Sequence, residues 1–287
     1  MPELPEIEVV KKSLFKMINK SKIIDIEINN RNLRYKIPKN FTNNLIGEKI
    51  LRISRKSKYI LFHFKKKILL IHLGMSGKFL NLKKYEKNFL RTSFYYDLNI
   101  INKHNHIIFK FNNDLNLIYN DVRRFGFFKL YNFTEANQIT FLKRLGVEPF
   151  SKKLNIKYFN KIIKNKKRNI KNLLMDQSFI CGLGNIYVNE ALFASKINPL
   201  RICLTLKNNE IKNLITNIRK ILIFSISKGG SSIKDFQGSS GKTGGFQEFF
   251  YVYGKNNKNC SRFSCKGRIK RITISNRSSF YCNKCQI

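Results

Sequence analysis

Two groups of residues have types and spacings that could do chemistry. The first is Cys260-x4-Cys265 followed, sixteen residues on, by Cys282-x2-Cys285, four cysteines inside the last 28 residues. Two close pairs at the ends of a hairpin-length segment can bring four thiolates onto one ion. Tetrahedral thiolate ligation suits zinc, and a site with no open position is structural. So short a tail buries little core, so the metal would supply much of its folding free energy. One structural Zn2+ is the expected cofactor. Lys266, Arg268, Lys270, Arg271 and Arg277 lie between the pairs and make the hairpin basic, a surface suited to phosphate. Cys181 and Cys203 read as small buried thiols.

The second group is the opening MPELPEIE. Proline in second place permits removal of the initiator methionine and leaves Pro2 with a secondary amine. An α-amino group titrates near pH ~8, so part of it is unprotonated at neutral pH. Such an amine can attack a carbon and form an iminium intermediate. Glu3 and Glu6 stand beside it and could move protons. By itself, the stretch also fits an ordinary chain start.

Lys plus Arg is 56 against 17 Asp plus Glu, a formal charge of +39. That excess favours a polyanion such as nucleic acid. Lys, Asn and Ile all have AT-rich codons, however, so drift of a genome towards AT would raise lysine without any selection for binding. Tyr59 to Met75, the most apolar stretch, is broken by Lys65, Lys66 and Lys67, which argues against a membrane span. The acidic, Pro-rich start is no secretory signal, and a cytoplasmic, nucleoid-associated protein is expected. The clustered cysteines then read as metal ligands rather than disulfides.

The elements that must position these residues follow from period. Residues 5–19 predict a helix with Ile7, Val10, Leu14 and Ile18 on one face. From about 22 to 131 the pattern is β. Tyr59–Phe64 and Ile68–Leu73 are joined by a lysine-rich turn, and 107–111 and 115–119 are joined through Asn112-Asn113-Asp114. This predicts an antiparallel sandwich or barrel. Residues 80–103 read as a loop insertion. Helical segments are expected near 137–145, 155–165, 168–176, 185–195 and 206–227, the last ended by Gly229-Gly230. Residues 231–247 read as a mobile Gly/Ser-rich loop.

Further motifs run through the chain: SKYILF at 57–62, HLGMSG at 72–77, KHNH at 103–106, NDVRRFG at 120–126, LGVEP at 145–149, IKNLLMDQSFICGLGNIYVNEALF at 170–193, GGSSIKDF at 229–236 and RSSFYC in the cysteine tail. With MPELPEIE, these give a sequence that resembles the formamidopyrimidine-DNA glycosylase family nearly end to end. The resemblance implies an α+β multidomain fold: an N-terminal β-sandwich with a flanking helix, then a C-terminal helical domain with a helix–two-turn–helix element and a zinc-finger hairpin. The corresponding domains are 1–134, 135–247 (ending in a loop that caps the lesion) and 248–287. It implies a monomer acting on damaged double-stranded DNA, with no membrane. Pro2 would attack C1′ of the damaged nucleoside, with Glu3 as general acid and Glu6 in support. Lys58 would assist elimination and hold a phosphate, and Arg277 would assist the second elimination. Because the glycosidic carbon is unreachable in the stack, the base must be flipped out. Met75, Arg123 and Phe125 would fill the gap. His72, His104, Lys166, Asn185 and Tyr187 match positions lining DNA.

The sequence departs from the family pattern at the x4 spacing of the first cysteine pair, at Val122 in place of a proline, at Asn105 in place of an aspartate, and in a longer 80–103 segment. Two other readings compete: an endonuclease VIII-type enzyme for oxidised pyrimidines, and a non-catalytic zinc-dependent DNA-binding protein on the same scaffold. Leu4 and the Met75, Arg123 and Phe125 set favour the oxidised-purine enzyme over the former; Pro2 and Glu3 argue against the latter.

Overall fold

A computed structural model of the chain describes residues 2–83, 90–91, 101–231 and 245–287. They form two compact units, Met1–Lys143 with Lys228–Gly245, and Arg144–Ser227 with Phe246–Ile287.

The first unit opens with α1 (Leu4–Ile18), whose Ile7, Val10, Leu14 and Ile18 are buried, the apolar face read from the sequence. Its strands are β1 (Ile23–Ile28), β2 (Arg52–Lys56), β3 (Tyr59–His63), β4 (Lys67–His72), β5 (Lys78–Lys83), β6 (Leu90–Arg91), β7 (Asn105–Phe111), β8 (Leu115–Asn120) and β9 (Phe127–Asn132). They make two antiparallel sheets, in the orders β1-β7-β8-β5-β6 and β2-β3-β4-β9. The sheets pack as a sandwich, with α1 against the same core. Phe128 of one sheet meets Tyr119 of the other edge-on, with centroids 4.8 Å apart.

Strands β3 and β4 are apolar in continuous runs rather than in alternation, because both of their faces are covered. One face joins the sandwich core; the other, with Leu61, Ile68 and Leu70, packs with Phe127, Ile139 and Phe141. Ile139 and Phe141 belong to the segment around the short α2 (Thr140–Lys143), where a longer helix over 137–145 was expected. The loop expected at 80–103 is corrected in part. Asn81 pairs with Leu90 and Leu80 with Arg91, so the stretch includes strand at its start and at Leu90–Arg91, and its last residues enter the 3-10 turn Asn102–His104. Residues 84–89 and 92–100 lie outside the described residues.

The second unit holds α3 (Ile156–Ile163), α4 (Ile170–Met175), α5 (Asn185–Ala194) and α6 (Asn208–Ser227), then a hairpin of β10 (Ile269–Ile274) and β11 (Arg277–Cys282). Two successive turns join α4 to α5, giving the helix–two-turn–helix. Gln177 braces that connection, donating to Leu183 O at 2.8 Å and accepting from Gly182 N at 2.9 Å. In α6, Ile211, Leu214, Ile215, Ile218 and Leu222 are buried, as their spacing predicts. Central to the unit is α5, which is buried almost all round. Its Glu190 accepts the amides of Tyr251, Val252 and Tyr253 at 2.8, 3.0 and 2.8 Å, which fixes the chain that leads into the hairpin.

The sandwich carries two histidines that fold in the neutral form. Burial, with Arg52 nearby, lowers His63 to about 4. Burial, with Lys58 and Arg34 nearby, lowers His72 to about 4. An unfolded histidine titrates near ~6.5, so between these values the unfolded chain binds more protons. Their contribution is therefore fully present above pH ~6.5 and is lost as pH falls towards 4, by roughly 1–3 kcal/mol for the well-buried His72 and by less for the half-exposed His63, whose shift solvent screens. Urea titrations at pH 7 and near pH 4.5 should show this loss, and a His63→Gln/His72→Gln variant should lose less between the two. An equal loss in both proteins would refute the assignment.

Candidate catalytic residues and nucleic-acid interface

The N-terminal candidates are held by the start of α1. Pro5 suits the first turn, and Glu3 and Glu6 form the reciprocal pair of a capping box. The Glu3 amide donates to Glu6 Oε2 at 2.9 Å. The other oxygen, Oε1, accepts the amide and hydroxyl of Ser231 at 2.8 and 3.0 Å. Pro2, Glu3 and Glu6 are all buried. Glu6 thus ties the residues beside Pro2 to Ser231. The lesion-capping loop expected beyond it, 232–244, lies outside the described residues.

Lys58 occupies the two-residue turn between β2 and β3, where Lys56 pairs with Tyr59 and Ser57 adopts the left-handed conformation (φ 54°). Arg55 steadies that turn: it donates to Ser57 O at 2.9 Å and bonds Glu8 Oε2 of α1 at 2.9 Å. Lys58 itself is buried. At the end of β4, His72 stacks on Phe127, with centroids 5.4 Å apart. Its Nδ1 accepts the Gly74 amide at 3.0 Å. In the neutral ring the proton then sits on Nε2, which makes that atom a donor.

Met75 and Phe125 are 37% and 43% exposed, and Val122 beside them 45%. Arg123 is also exposed and lies over the Phe125 ring, 4.7 Å from its centroid. These side chains sit on two loops that touch backbone to backbone. A Cβ at Gly74 (φ 68°) would lie 2.5 Å from Phe125 C and Gly126 N. Asp121, fully buried, joins the loops. Its Oδ1 accepts the Ser76 hydroxyl at 2.5 Å. Its Oδ2 accepts the Tyr119 hydroxyl at 3.0 Å and the Gly126 amide at 2.8 Å. Ser76 in turn accepts the Arg123 amide at 3.0 Å. Sequence reasoning took Arg123 and Phe125 from NDVRRFG and missed Asp121. The available signal was a lone acid beside two arginines in an acid-poor chain. His104 is half-buried and Asn105 buried, its side chain bonded to Asn120 at 2.8 Å.

In the second unit, Arg277 is exposed and follows a tight turn in which Ser275 and Asn276 have φ of 48° and 59°. Asn185 and the buried Lys171 both donate to Ser278 O, at 2.9 and 3.2 Å, and Lys171 also bonds the Ser279 hydroxyl. Asn189 accepts the Phe280 amide at 2.8 Å. Helices α4 and α5 therefore set the strand that carries Arg277. Lys171 was not singled out from the sequence. Lys166 is exposed after α3. Tyr187 requires a correction: it is 1% exposed and its hydroxyl bonds Ser225 at 2.6 Å. It packs in the core because α5 is buried on nearly every side, its Asn189 and Glu190 included.

The four cysteines converge despite the x4 spacing. All four sulfurs lie within 4.8 Å of one another, with Cys260–Cys285 at 3.8 Å and Cys265–Cys282 at 3.7 Å. A tetrahedron of sulfurs ~2.3 Å from a central ion has edges of about that length. Burial alone would raise the Cys282 thiol, but the amides of Cys285 and Lys284 and the neighbouring sulfurs bring it down to about 7. The site can hold one metal ion. The extra residues of the long knuckle include Phe263, which is 97% exposed.

Residues 145–237 match the family model for the formamidopyrimidine-DNA glycosylase H2TH domain, which sets the class as a helix–two-turn–helix protein. Residues 1–128 match the model for the N-terminal domain of the same glycosylases. Formamidopyrimidine-DNA glycosylases of Bartonella tribocorum and of a Wolbachia from Brugia malayi are 41% and 39% identical, covering 100% of both chains in each case. A solved complex between the Lactococcus lactis Fpg and an abasic-site-containing DNA aligns with TM-score 0.85 and 34% identity over 99% of each chain. The chain belongs to the formamidopyrimidine-DNA glycosylase family. Among the described residues, no helix is long and apolar enough to cross a membrane.

Two outcomes are expected. Asp121→Asn replaces one carboxylate oxygen by an amide donor, set against one or two of the three donors gathered there, and should lower stability by roughly 1–3 kcal/mol. Amide exchange should quicken at Gly126 and Arg123 more than in β3; protection unchanged at both amides would count against the brace. Cys282→Ser should bring bound metal from one ion per chain to well below that, and unchanged stoichiometry would rule out the ligand set.

Proposed function

We propose that the protein is a bifunctional glycosylase and abasic-site lyase that removes oxidised purines, 8-oxoguanine and formamidopyrimidines, from damaged double-stranded DNA in base excision repair. The observation that carries the reading is the buried Pro2 beside the Glu3–Glu6 capping box, in a chain belonging to this family. Once Met1 is removed, the Pro2 nitrogen attacks C1′. The C1′–N bond breaks, and the base leaves with its electron pair and takes up a proton. Glu3 supplies a proton at the sugar, and ring opening leaves an iminium linking Pro2 to C1′. That electron sink acidifies C2′, so proton loss expels the 3′ phosphate; a second elimination expels the 5′ phosphate. Hydrolysis of the iminium returns the amine.

Lys58 holds a phosphate and assists elimination, and Arg277 assists the second one. Glu6 acts by position, through Glu3 and Ser231. Met75, Arg123 and Phe125 fill the gap left by the flipped base: exposed apolar side chains suit the stack, and the arginine suits the orphaned partner. The Nε2–H of His72, with His104, Lys166 and Asn185, supplies further DNA contacts. The four cysteines would hold one structural Zn2+, since their sulfur spacing fits it.

Borohydride trapping on an 8-oxoguanine duplex tests the reading, with the mature N-terminus verified by mass spectrometry. A covalent adduct is expected. Its absence from a preparation that still binds the duplex would favour the non-catalytic alternative, and preference for oxidised pyrimidines would favour the endonuclease VIII type. Pro2→Gly should cut excision by a factor on the order of 10² or more. Its duplex Kd should change little, because affinity rests on phosphate contacts. Parallel loss of both would contradict this division of labour.

A further inference from the structure

The outer edge of β9 opens into a cavity of about 640 Å³ in the first unit. The ladder decides which backbone groups reach it. β9 pairs with β4 from Lys67↔Asn132 to His72↔Phe127, and Phe133 N, one step beyond, donates to Lys66 O at 2.8 Å. Residues that exchange bonds alternate along an antiparallel strand. Phe127, Lys129 and Tyr131 therefore turn their N–H and C=O towards β4, and Phe128, Leu130 and Asn132 turn theirs outward. Gly126, in phase with the outward set, accepts the Arg34 amide at 3.2 Å, and the Asn132 amide is taken by Glu135 at 3.1 Å. Phe128 is fully buried. The partly buried Leu130 remains, and among the described residues its outward N–H and C=O have no partner.

A covering loop and a lysine commonly protect a sheet edge. Here the loop over 31–41 shelters the edge without completing the sheet, because it uses its polar groups on itself. Leu33 N and Ile37 N donate to Arg31 O at 3.1 and 2.9 Å, and Phe41 N donates to Pro38 O at 3.2 Å. The Arg31 guanidinium also donates to Pro38 O, at 2.8 Å. Pro38 itself has no amide to offer. The loop thus walls one side of the cavity, and the consecutive strand residues 128–132 line the other.

The occupant must meet a donor and an acceptor together. A phosphodiester offers only acceptors and would be repelled by the Leu130 carbonyl, whereas a peptide backbone offers both groups at strand spacing. Side chains narrow the choice. Lys129 lies over the Tyr35 ring, 4.7 Å from its centroid, and among the described residues it has no acid partner. The other charges lining the cavity are matched, Lys67 by Glu48 at 3.3 Å and Glu135 by the Asn132 amide. Tyr131, on the same face as Lys129, belongs with Tyr35 and Phe141 to one apolar cluster. An added strand would set one side chain opposite Lys129 and, two residues on, another opposite Tyr131.

We propose that the β9 edge binds an extended acidic segment of a partner protein by strand addition. The segment pairs with Leu130, sets an acid against Lys129 and sets an aromatic side chain among Tyr131, Tyr35 and Phe141.

The test uses the metal-loaded full chain, with amide exchange followed by NMR. The probe is a capped threonine peptide carrying one aspartate and, two residues on, one phenylalanine. It should bind and slow exchange at Leu130, while Leu69, paired with Phe62 inside the sheet, is unchanged. An isomer with the two side chains adjacent puts them on opposite faces, and should bind about threefold to tenfold more weakly. Equal affinity would mean attraction by overall charge alone and would overturn the proposal. Methylating the probe's amides one at a time should cost about threefold to tenfold at alternate positions, those that face β9. A profile without alternation would overturn strand addition. Lys129→Gln should weaken the probe by roughly twofold to fivefold, and unchanged affinity would overturn the acidic assignment. Should that variant fold poorly, the methylation walk on the wild type still decides. Slowing of Leu130 by a single-stranded oligothymidylate, with none by the peptide, would give the cleft to nucleobases and overturn the proposal. None of these readouts involves excision, so they stand apart from the catalytic reading.

Discussion

The Glu6 carboxylate is the interaction on which the candidate catalytic end of the chain depends. One oxygen takes the Glu3 amide and the other takes both donors of Ser231. A residue beside a chain terminus usually frays, because few contacts oppose its conformational entropy. Here those residues are anchored by a buried carboxyl group whose oxygens accept from the helix start and from Ser231, 225 residues on. Neighbouring Gly230 is part of the arrangement: a Cβ there would lie 3.1 Å from Glu6 Oε1, and its φ of 81° suits glycine. The geometry around Pro2 is thus coupled to the stem of the segment that follows Ser231. The nucleophile of the proposed reaction would need such pre-organisation, because small misplacements forfeit much of the rate.

The same device recurs twice in a chain with few acids. Asp121 gathers Ser76, Tyr119 and Gly126, and Glu190 gathers three consecutive amides. Burying a carboxylate is unfavourable unless donors replace its water, and each of these has at least three. With 17 acids among 287 residues, neutralising the surface charge is beyond their reach. Their effect is local: each fixes a loop whose neighbours carry the candidate functional side chains.

Elements with a strong period were legible in the sequence. The stripe of α1, the apolar runs of β3 and β4, the long α6 and the cysteine pairs all depend on neighbours a few residues apart. What escaped depends on distant partners. Asp121 meets Ser76 across 45 residues, and Lys171 meets Ser278 across 107. Tyr187 was misplaced for a related reason. A helix buried on nearly every side, with polar residues scattered among apolar ones, gives no face to read, so motif position stood in for exposure, and the hydroxyl found Ser225 in the core. The strand pairs at Leu80 and Asn81 were hidden because polar and lysine-rich residues follow them and read as loop.

The two kinds of positive charge in this chain answer to different constraints. Several arginines span two or more acceptors at once. Arg219 donates to Pro149 O, Ser151 O and Leu154 O. Arg201 takes both oxygens of Glu210 and also Thr205 O. Arg55 joins Glu8 to Ser57 O beneath the Lys58 turn. A lysine has the charge but not the planar fork, so it cannot replace an arginine where one side chain must reach two or three fixed oxygens. At solvated positions either cation serves. Net charge therefore says less about this protein than the places where its arginines stand. Among the described residues, the exposed Arg34 and Arg123 lie instead over the rings of Tyr35 and Phe125, where the flat guanidinium again does what an ammonium cannot.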